Sequence, residues 1–151
     1  MGAGIGSIET AYVELFIAAR DEMLITTFSI GVGHDPLFTW IETALARGVL
    51  VRAVINRFRD QPTEVVSRLT RLNEGYRNFE LYSFESDPNE DLHAKVVVRD
   101  REEALIGSSN LSRRGFVANH ELGVVVEGQA AVTAGEAFDH LLNDTRVIRV
   151  S

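Results

Sequence analysis

Apolar positions along this chain follow two alternating rhythms. Over residues 7–20, Ile8, Ala11, Tyr12, Leu15 and Ala19 recur at helical spacing, with Ser7 placed to cap the N-terminus. Met23–Ile30 is a short apolar run and predicts a buried strand. Asp35-Pro36 then reads as a cap followed by proline in the first helical position. Leu37, Trp40, Ile41, Ala44 and Leu45 form that helix's inner face, and Gly48 ends it. A strand over Val49–Ile55, a helix over Thr63–Asn73 and a strand over Phe79–Phe84 follow. Strand–helix repetition at this spacing predicts parallel pairing with right-handed crossovers.

The rhythm changes after residue 92. His93–Val98, Ala104–Ile106 and Glu121–Val126 read as strands with short connections. Gln129–Asn143 reads as a last helix and Arg146–Val150 as a closing strand. The fold class expected is α/β: an α-β-α sandwich around a mixed, mainly parallel sheet. Gly2, Gly4 and Gly6 have no strand before them and do not fit a dinucleotide loop, so residues 1–6 are expected to be a flexible terminus and 7–151 a single domain.

Composition narrows the chemistry. The chain has 151 residues and no cysteine, which excludes disulfides, zinc–thiolate sites, iron–sulfur clusters and thiol catalysis. No basic leader precedes an apolar run at the N-terminus, and the expected location is the cytoplasm of a bacterial-type cell. The net charge of −7 argues against nucleic-acid binding through bulk charge. The 15 basic residues comprise 14 arginines and one lysine, Lys95. Codon bias accounts for the arginines; the position that kept an amine calls for a separate reason.

That reason lies in His93-Ala-Lys95, Asp100 and Gly107-Ser108-Ser109-Asn110. Residues two apart on a strand share a face, so an imidazole and an ammonium would stand side by side. Ser108 and Asn110 follow in a turn, and Asn119 and Glu121 share a face further on. Any one of these residues alone would read as an ordinary surface or loop position. Their joint spacing, H-x-K-x4-D-x6-G-S-x-N, resembles the phospholipase D superfamily at every fixed position. The strand–helix lead-in and the later acidic residue fit as well, so the resemblance covers nearly the whole chain. His34 and His140 have no such company, and His120 is expected to face away from Glu121.

The resemblance implies phosphodiester cleavage through a covalent phosphohistidine, without a metal or other cofactor. Imidazole can serve as nucleophile or acid near neutral pH. His93 would attack phosphorus, and Glu121 would orient its other ring nitrogen. Lys95 and Asn110 would stabilise charge on the non-bridging oxygens. Ser108 would support the phosphate pocket, and Asp100 would pair with Lys95 or brace the loop. The chemistry needs two histidines, and this chain carries one motif. A two-fold homodimer sharing both His93 rings is therefore expected.

Single-motif members of the superfamily that dimerise resemble small bacterial nucleases and the nuclease domains of restriction or phage-defence enzymes. Nucleic acid is thus the expected substrate. Arg57, Arg59, Arg113 and Arg114 are candidate phosphate contacts. Two alternatives stand beside this: a phospholipase or phosphatidyl transferase using the same site, and a catalytically idle domain for dimerisation or nucleic-acid binding. No basic amphipathic stretch points to stable membrane association.

Overall fold

The computed structural model describes residues 7–31, 35–111 and 121–151. Four helices and seven strands alternate as α1 (Ile8–Ala18), β1 (Glu22–Thr27), α2 (Asp35–Ala46), β2 (Leu50–Asn56), α3 (Thr63–Gly75), β3 (Phe79–Phe84), β4 (Val96–Arg99), β5 (Glu103–Gly107), β6 (Gly123–Glu127), α4 (Gln129–Leu142) and β7 (Val147–Arg149). A single 3-10 turn, Phe58–Asp60, follows β2. Ser7 caps α1 as expected, its hydroxyl accepting the Thr10 N–H at 3.0 Å. Gly48 closes α2 with φ +88°, a left-handed conformation that side chains resist.

The strands form one sheet in the order β6-β5-β4-β1-β2-β3-β7. The sheet is mixed, but its parallel share is smaller than the repeating pattern suggested. β1–β2 and β2–β3 pair parallel, whereas β1–β4, β4–β5, β5–β6 and β3–β7 pair antiparallel. The crossover helices α2 and α3 connect the three parallel strands. β4, β5 and β6 then pair antiparallel in chain order, and α4 carries the chain across the sheet to β7 at the opposite edge.

Alternation along the central strands sorts side chains into two cores. Met23, Ile25, Val51, Ala53, Ile55 and Val97 face α1, α2 and α3, whose inner faces supply Leu15, Phe16, Leu37, Ile41, Val65 and Leu69. Leu24, Val54 and Val98 face the other way, onto Ala131 and Phe138 of α4. Each fully buried large side chain, such as Phe16 or Phe79, stabilises the fold by about 1.5–3 kcal/mol. Among the described residues, no helix is long and apolar enough to cross a membrane.

β1, β2 and β3 all run toward one edge of the sheet, where Thr27, Asn56 and Phe84 end. β4 runs the opposite way and begins at this edge, with Val96 opposite Thr26. β5 ends here and β6 begins here, with Gly107 opposite Gly123. His93 and Lys95 before β4 and Ser108 after β5 are thereby gathered beside the C-terminal ends of the parallel strands. Open α/β sheets bind ligands at such edges.

Candidate active site

His93 and Lys95 lie just before β4, not within it as the apolar alternation suggested. The backbone N–H of Val96 is taken by the Thr26 hydroxyl at 3.1 Å, which replaces a ladder partner and ends the pairing. The alternation of faces nevertheless continues. Ala94 and Val96 turn toward α4, where they line a cavity with Leu92, Ile106 and Phe138.

The ammonium of Lys95 is held closely. It lies 2.7 Å from His93 Nδ1 and 3.4 Å from Nε2, and donates to the His93 carbonyl oxygen at 2.8 Å. An ammonium has only protons to give, so the ring nitrogen in this contact is the acceptor. Lys95 is 6% exposed, whereas His93 is exposed. Burial pulls Lys95 below the ordinary lysine value, and the negative charge of Glu121 pulls it back up. Phe28, just past β1, packs its ring against the imidazole at 4.8 Å between centroids and lies 5.8 Å from the ammonium.

The Gly107–Leu111 segment runs alongside. Gly107 donates its N–H to the Lys95 carbonyl at 3.2 Å. A Cβ at Gly107 would meet the Leu122 carbonyl oxygen at 2.7 Å, so only glycine lets the backbones approach this closely. Ser108 donates its backbone N–H to the Leu122 carbonyl, and its hydroxyl accepts the Leu122 N–H and donates to the Glu121 carboxylate. The expected bond from Glu121 to the ring of His93 is therefore replaced, among the described residues, by one to Ser108. Ser108 lies directly across the start of β6 and takes the carboxylate first. Asn110 carries a buried amide oxygen with no partner among the described residues. Leu111 bridges to Ile30 and ties this segment to the loop after β1.

Asp100 lies elsewhere. It follows β4 at the far end, about 16 Å along the strand from Lys95 at roughly 3.3 Å per residue. Pairing with Lys95 is thus excluded by the length of β4, and Asp100 is not part of the site. Its bracing role holds instead. The carboxylate accepts the backbone N–H groups of Arg20, Asp21 and Glu22 at 3.0, 2.8 and 2.9 Å. Burial alone would raise its pKa, but these bonds and the Arg99 guanidinium outweigh it and hold the group below the ordinary value.

Arg57 is also occupied. Its guanidinium donates to the carbonyls of Ser86, Asp87 and Glu90 and to the Asp91 carboxylate. It fastens the loop before His93 and is not free to meet a substrate. Arg59 is exposed, with its guanidinium 5.7 Å from the Phe58 ring. Arg113, Arg114, Asn119, His120 and His34 lie outside the described residues. His140 is on the exposed face of α4, as expected.

Sequence reasoning missed Phe28, Asn56 and Gln61. Asn56 accepts the N–H of Leu92, next to His93, at 2.8 Å. Gln61 donates to the carbonyls of Phe28 and Asn56 and accepts from the Ile30 N–H. The available signal was position: a polar residue at the C-terminal end of a parallel strand.

The chain is similar to known proteins. A family model described as "Cardiolipin synthase, PLD-like domain" matches residues 12–142. The DISARM protein DrmC of Bacillus paralicheniformis is 32% identical over 118 residues, covering 77% of this chain and 48% of that protein. Cardiolipin synthase A of Pseudomonas aeruginosa is 29% identical over 148 residues, covering 91% of this chain and 29% of that one. This chain thus spans half or less of these curated relatives. Nuc from Salmonella typhimurium, a solved phospholipase D family member, superposes with a TM-score of 0.79 at 20% identity, covering 96% of this chain and 91% of that one. With the family model spanning most of the chain and the motif gathered at one sheet edge, the chain belongs to the phospholipase D-like family.

Proposed function

We propose that this protein is a phosphodiesterase that cleaves nucleic acid through a phosphohistidine formed on His93, at a site shared by two copies of the chain. The observation that carries the reading is the contact between the Lys95 ammonium and the His93 ring, at the sheet edge where Gly107 donates its N–H to the Lys95 carbonyl. The ring nitrogen attacks phosphorus, and a P–O bond to the leaving oxygen breaks as the P–N bond forms. The Lys95 ammonium and the side-chain N–H of Asn110 donate to the non-bridging oxygens, where charge builds. Water then attacks the phosphohistidine and frees the ring. Glu121 holds Ser108 at the edge of the pocket, and its charge favours the ammonium form of Lys95.

A leaving alkoxide needs a proton, and the His93 ring that forms the P–N bond cannot supply it. A second copy brings a second imidazole to the same phosphate. Apolar surface beside the site supports such pairing: Leu122 is 80% exposed and Val124 54% exposed. Nuc, which one copy of this fold nearly spans, supports the single-motif reading. Arg59, exposed at the same edge, and Arg113 and Arg114 after the motif are the proposed contacts to neighbouring phosphates.

The test is cleavage of single- and double-stranded DNA and RNA in excess chelator, with His93→Asn purified alongside and the mass of the active species measured by sedimentation. Cleavage that survives chelator, vanishes in the variant and tracks the dimer is expected. An inactive, folded dimer on every polymer rejects the nucleic-acid reading.

One observation favours a second reading, transfer or hydrolysis of a phosphatidyl group. A cavity of about 360 Å³ between the sheet and α4 is lined by Leu92, Ala94, Val96, Ile106, Phe138 and Leu141. Ala94 separates it from His93 by one residue, but on the opposite face. Release of headgroup from phosphatidylglycerol vesicles, absent in His93→Asn, would favour it.

A further inference from the structure

The segment that delivers His93 to the site has no regular structure of its own. Residues 85–95 connect β3 to β4 and carry neither helix nor strand. Such a segment holds a side chain in place only as well as it is itself held. Two consecutive residues at the end of β2 do this work. Arg57 takes three carbonyls of the segment, as described above. Asn56 acts closer to the histidine. It is 3% exposed, and its side-chain amide makes two different bonds to neighbouring residues. The oxygen accepts the Leu92 N–H at 2.8 Å, and the nitrogen donates to the Asp91 carboxylate at 3.1 Å. Its own carbonyl is held by Gln61 at 2.8 Å, and the same Gln61 nitrogen holds the Phe28 carbonyl at 3.1 Å. Phe28 is the ring against which the imidazole packs.

Resting on the phosphodiesterase reading above, we infer that Asn56 is a positioning residue for His93. It sets the backbone one residue before the imidazole, and through Gln61 it shares a support with the aromatic wall behind it. An in-line attack tolerates little displacement of the nucleophile, and a shift of about 1 Å costs about 10²-fold in rate. Asn56 touches neither the reacting atoms nor the phosphate. It acts by fixing where the ring stands.

The bond pattern permits a swap. In Asn56→Asp the oxygen that accepts from Leu92 is kept, but two carboxylates face each other at residues 56 and 91. Adding Asp91→Asn restores a donor–acceptor pair with the polarity reversed. The experiment is a nitrogen-15 NMR measurement of the His93 ring in the wild type, Asn56→Asp and the double variant, with hydrolysis of bis(p-nitrophenyl) phosphate on the same samples. The ring resonances of His93 are expected to shift or broaden in Asn56→Asp and to return in the double variant. Glu74→Ala, on exposed surface of α3, is expected to leave them in place. In the kinetic arm, kcat is expected to fall by about ten- to a hundred-fold with KM within about two-fold, and to recover in the double variant.

A folded Asn56→Asp protein with unmoved His93 resonances overturns the inference, whether or not the enzyme turns over. A wild type that hydrolyses no phosphodiester rejects the functional reading instead, and the ring resonances still decide the positioning role. If Asn56→Asp does not fold, Asp91→Ala removes one arm at an exposed side chain. Unmoved His93 resonances in that variant would equally overturn the inference.

Discussion

β4 is four residues long, and its two ends use charge in opposite ways. At the Arg99 end, cations and carboxylates are matched. Arg99 meets Asp100, Glu102 and Glu103, Arg20 meets Glu102, and Arg101 is shared between Glu22 and both oxygens of Asp139. At the Val96 end, the Lys95 ammonium rests on an imidazole and a carbonyl, and the Asn110 oxygen has no partner among the described residues. One end commits its charged groups to the protein itself, with only Arg99 Nε among them buried without a hydrogen-bond partner among the described residues. The other holds an ammonium that touches no carboxylate among the described residues. The motif that looked like a single functional unit in sequence is split between the two: His93, Lys95, Ser108 and Asn110 serve the open end, and Asp100 serves the closed one.

The contrast can be broken most sharply at Lys95. Lys95→Met should lower kcat/KM for a phosphodiester by about 10²–10³-fold, as loss of one electrostatic donor does. Its melting temperature should not fall, because no carboxylate is left unpaired in contact with it. A fall in melting temperature with activity preserved would reverse the assignment of the two ends. Asp100→Ala should do the opposite. It strands three backbone N–H groups and weakens the hold on Arg99, for a loss of about 3 kcal/mol in denaturant unfolding. The folded fraction should keep its turnover.

Gly107→Ala tests the seam beside the open end. The new methyl collides with the Leu122 carbonyl, so β6 must shift. A loss of about 1–3 kcal/mol is expected from overpacking. Activity should also fall, because Ser108 and Glu121 flank the collision.

The smallest expected effect is the dependence of stability on acid. Asp100, Asp139 and Asp144 are all held below the ordinary value of 3.8, Asp144 down to about 2 by the Arg146 guanidinium. Carboxyls depressed in the folded state contribute stability that is present above about pH 4 and lost as pH falls toward 2. Melting temperature measured from pH 6 to 2 should fall across that window. The fall should be shallower in Asp100→Asn, which removes one titrating group from the closed end.

Much of this was legible from local pattern. Helical spacing and caps placed α1 through α4 within a few residues, because each helix buries one periodic face. The spacing of His93, Lys95, Ser108 and Asn110 was legible because adjoining strands return to one sheet edge. The balance of parallel and antiparallel pairing was not, since alternation marks a strand without naming its neighbour. The start of β4 was misplaced because a side chain remote in sequence, Thr26, ends the ladder. Arg57 looked free, and Asn56 and Gln61 went unnoticed, for the same reason. Their partners lie on segments about 30 residues away, and no local pattern encodes such a bond.

Lys95 has one more consequence. It is the chain's single lysine and it is buried in the site. Protein grown on lysine carrying nitrogen-15 at the side-chain amine would therefore contain one isotopic label, already at the place of interest. Its spectrum needs no assignment. A titration with inorganic phosphate, an oligonucleotide or a vesicle would be read from one resonance, and the choice among substrates becomes a matter of which addition moves it.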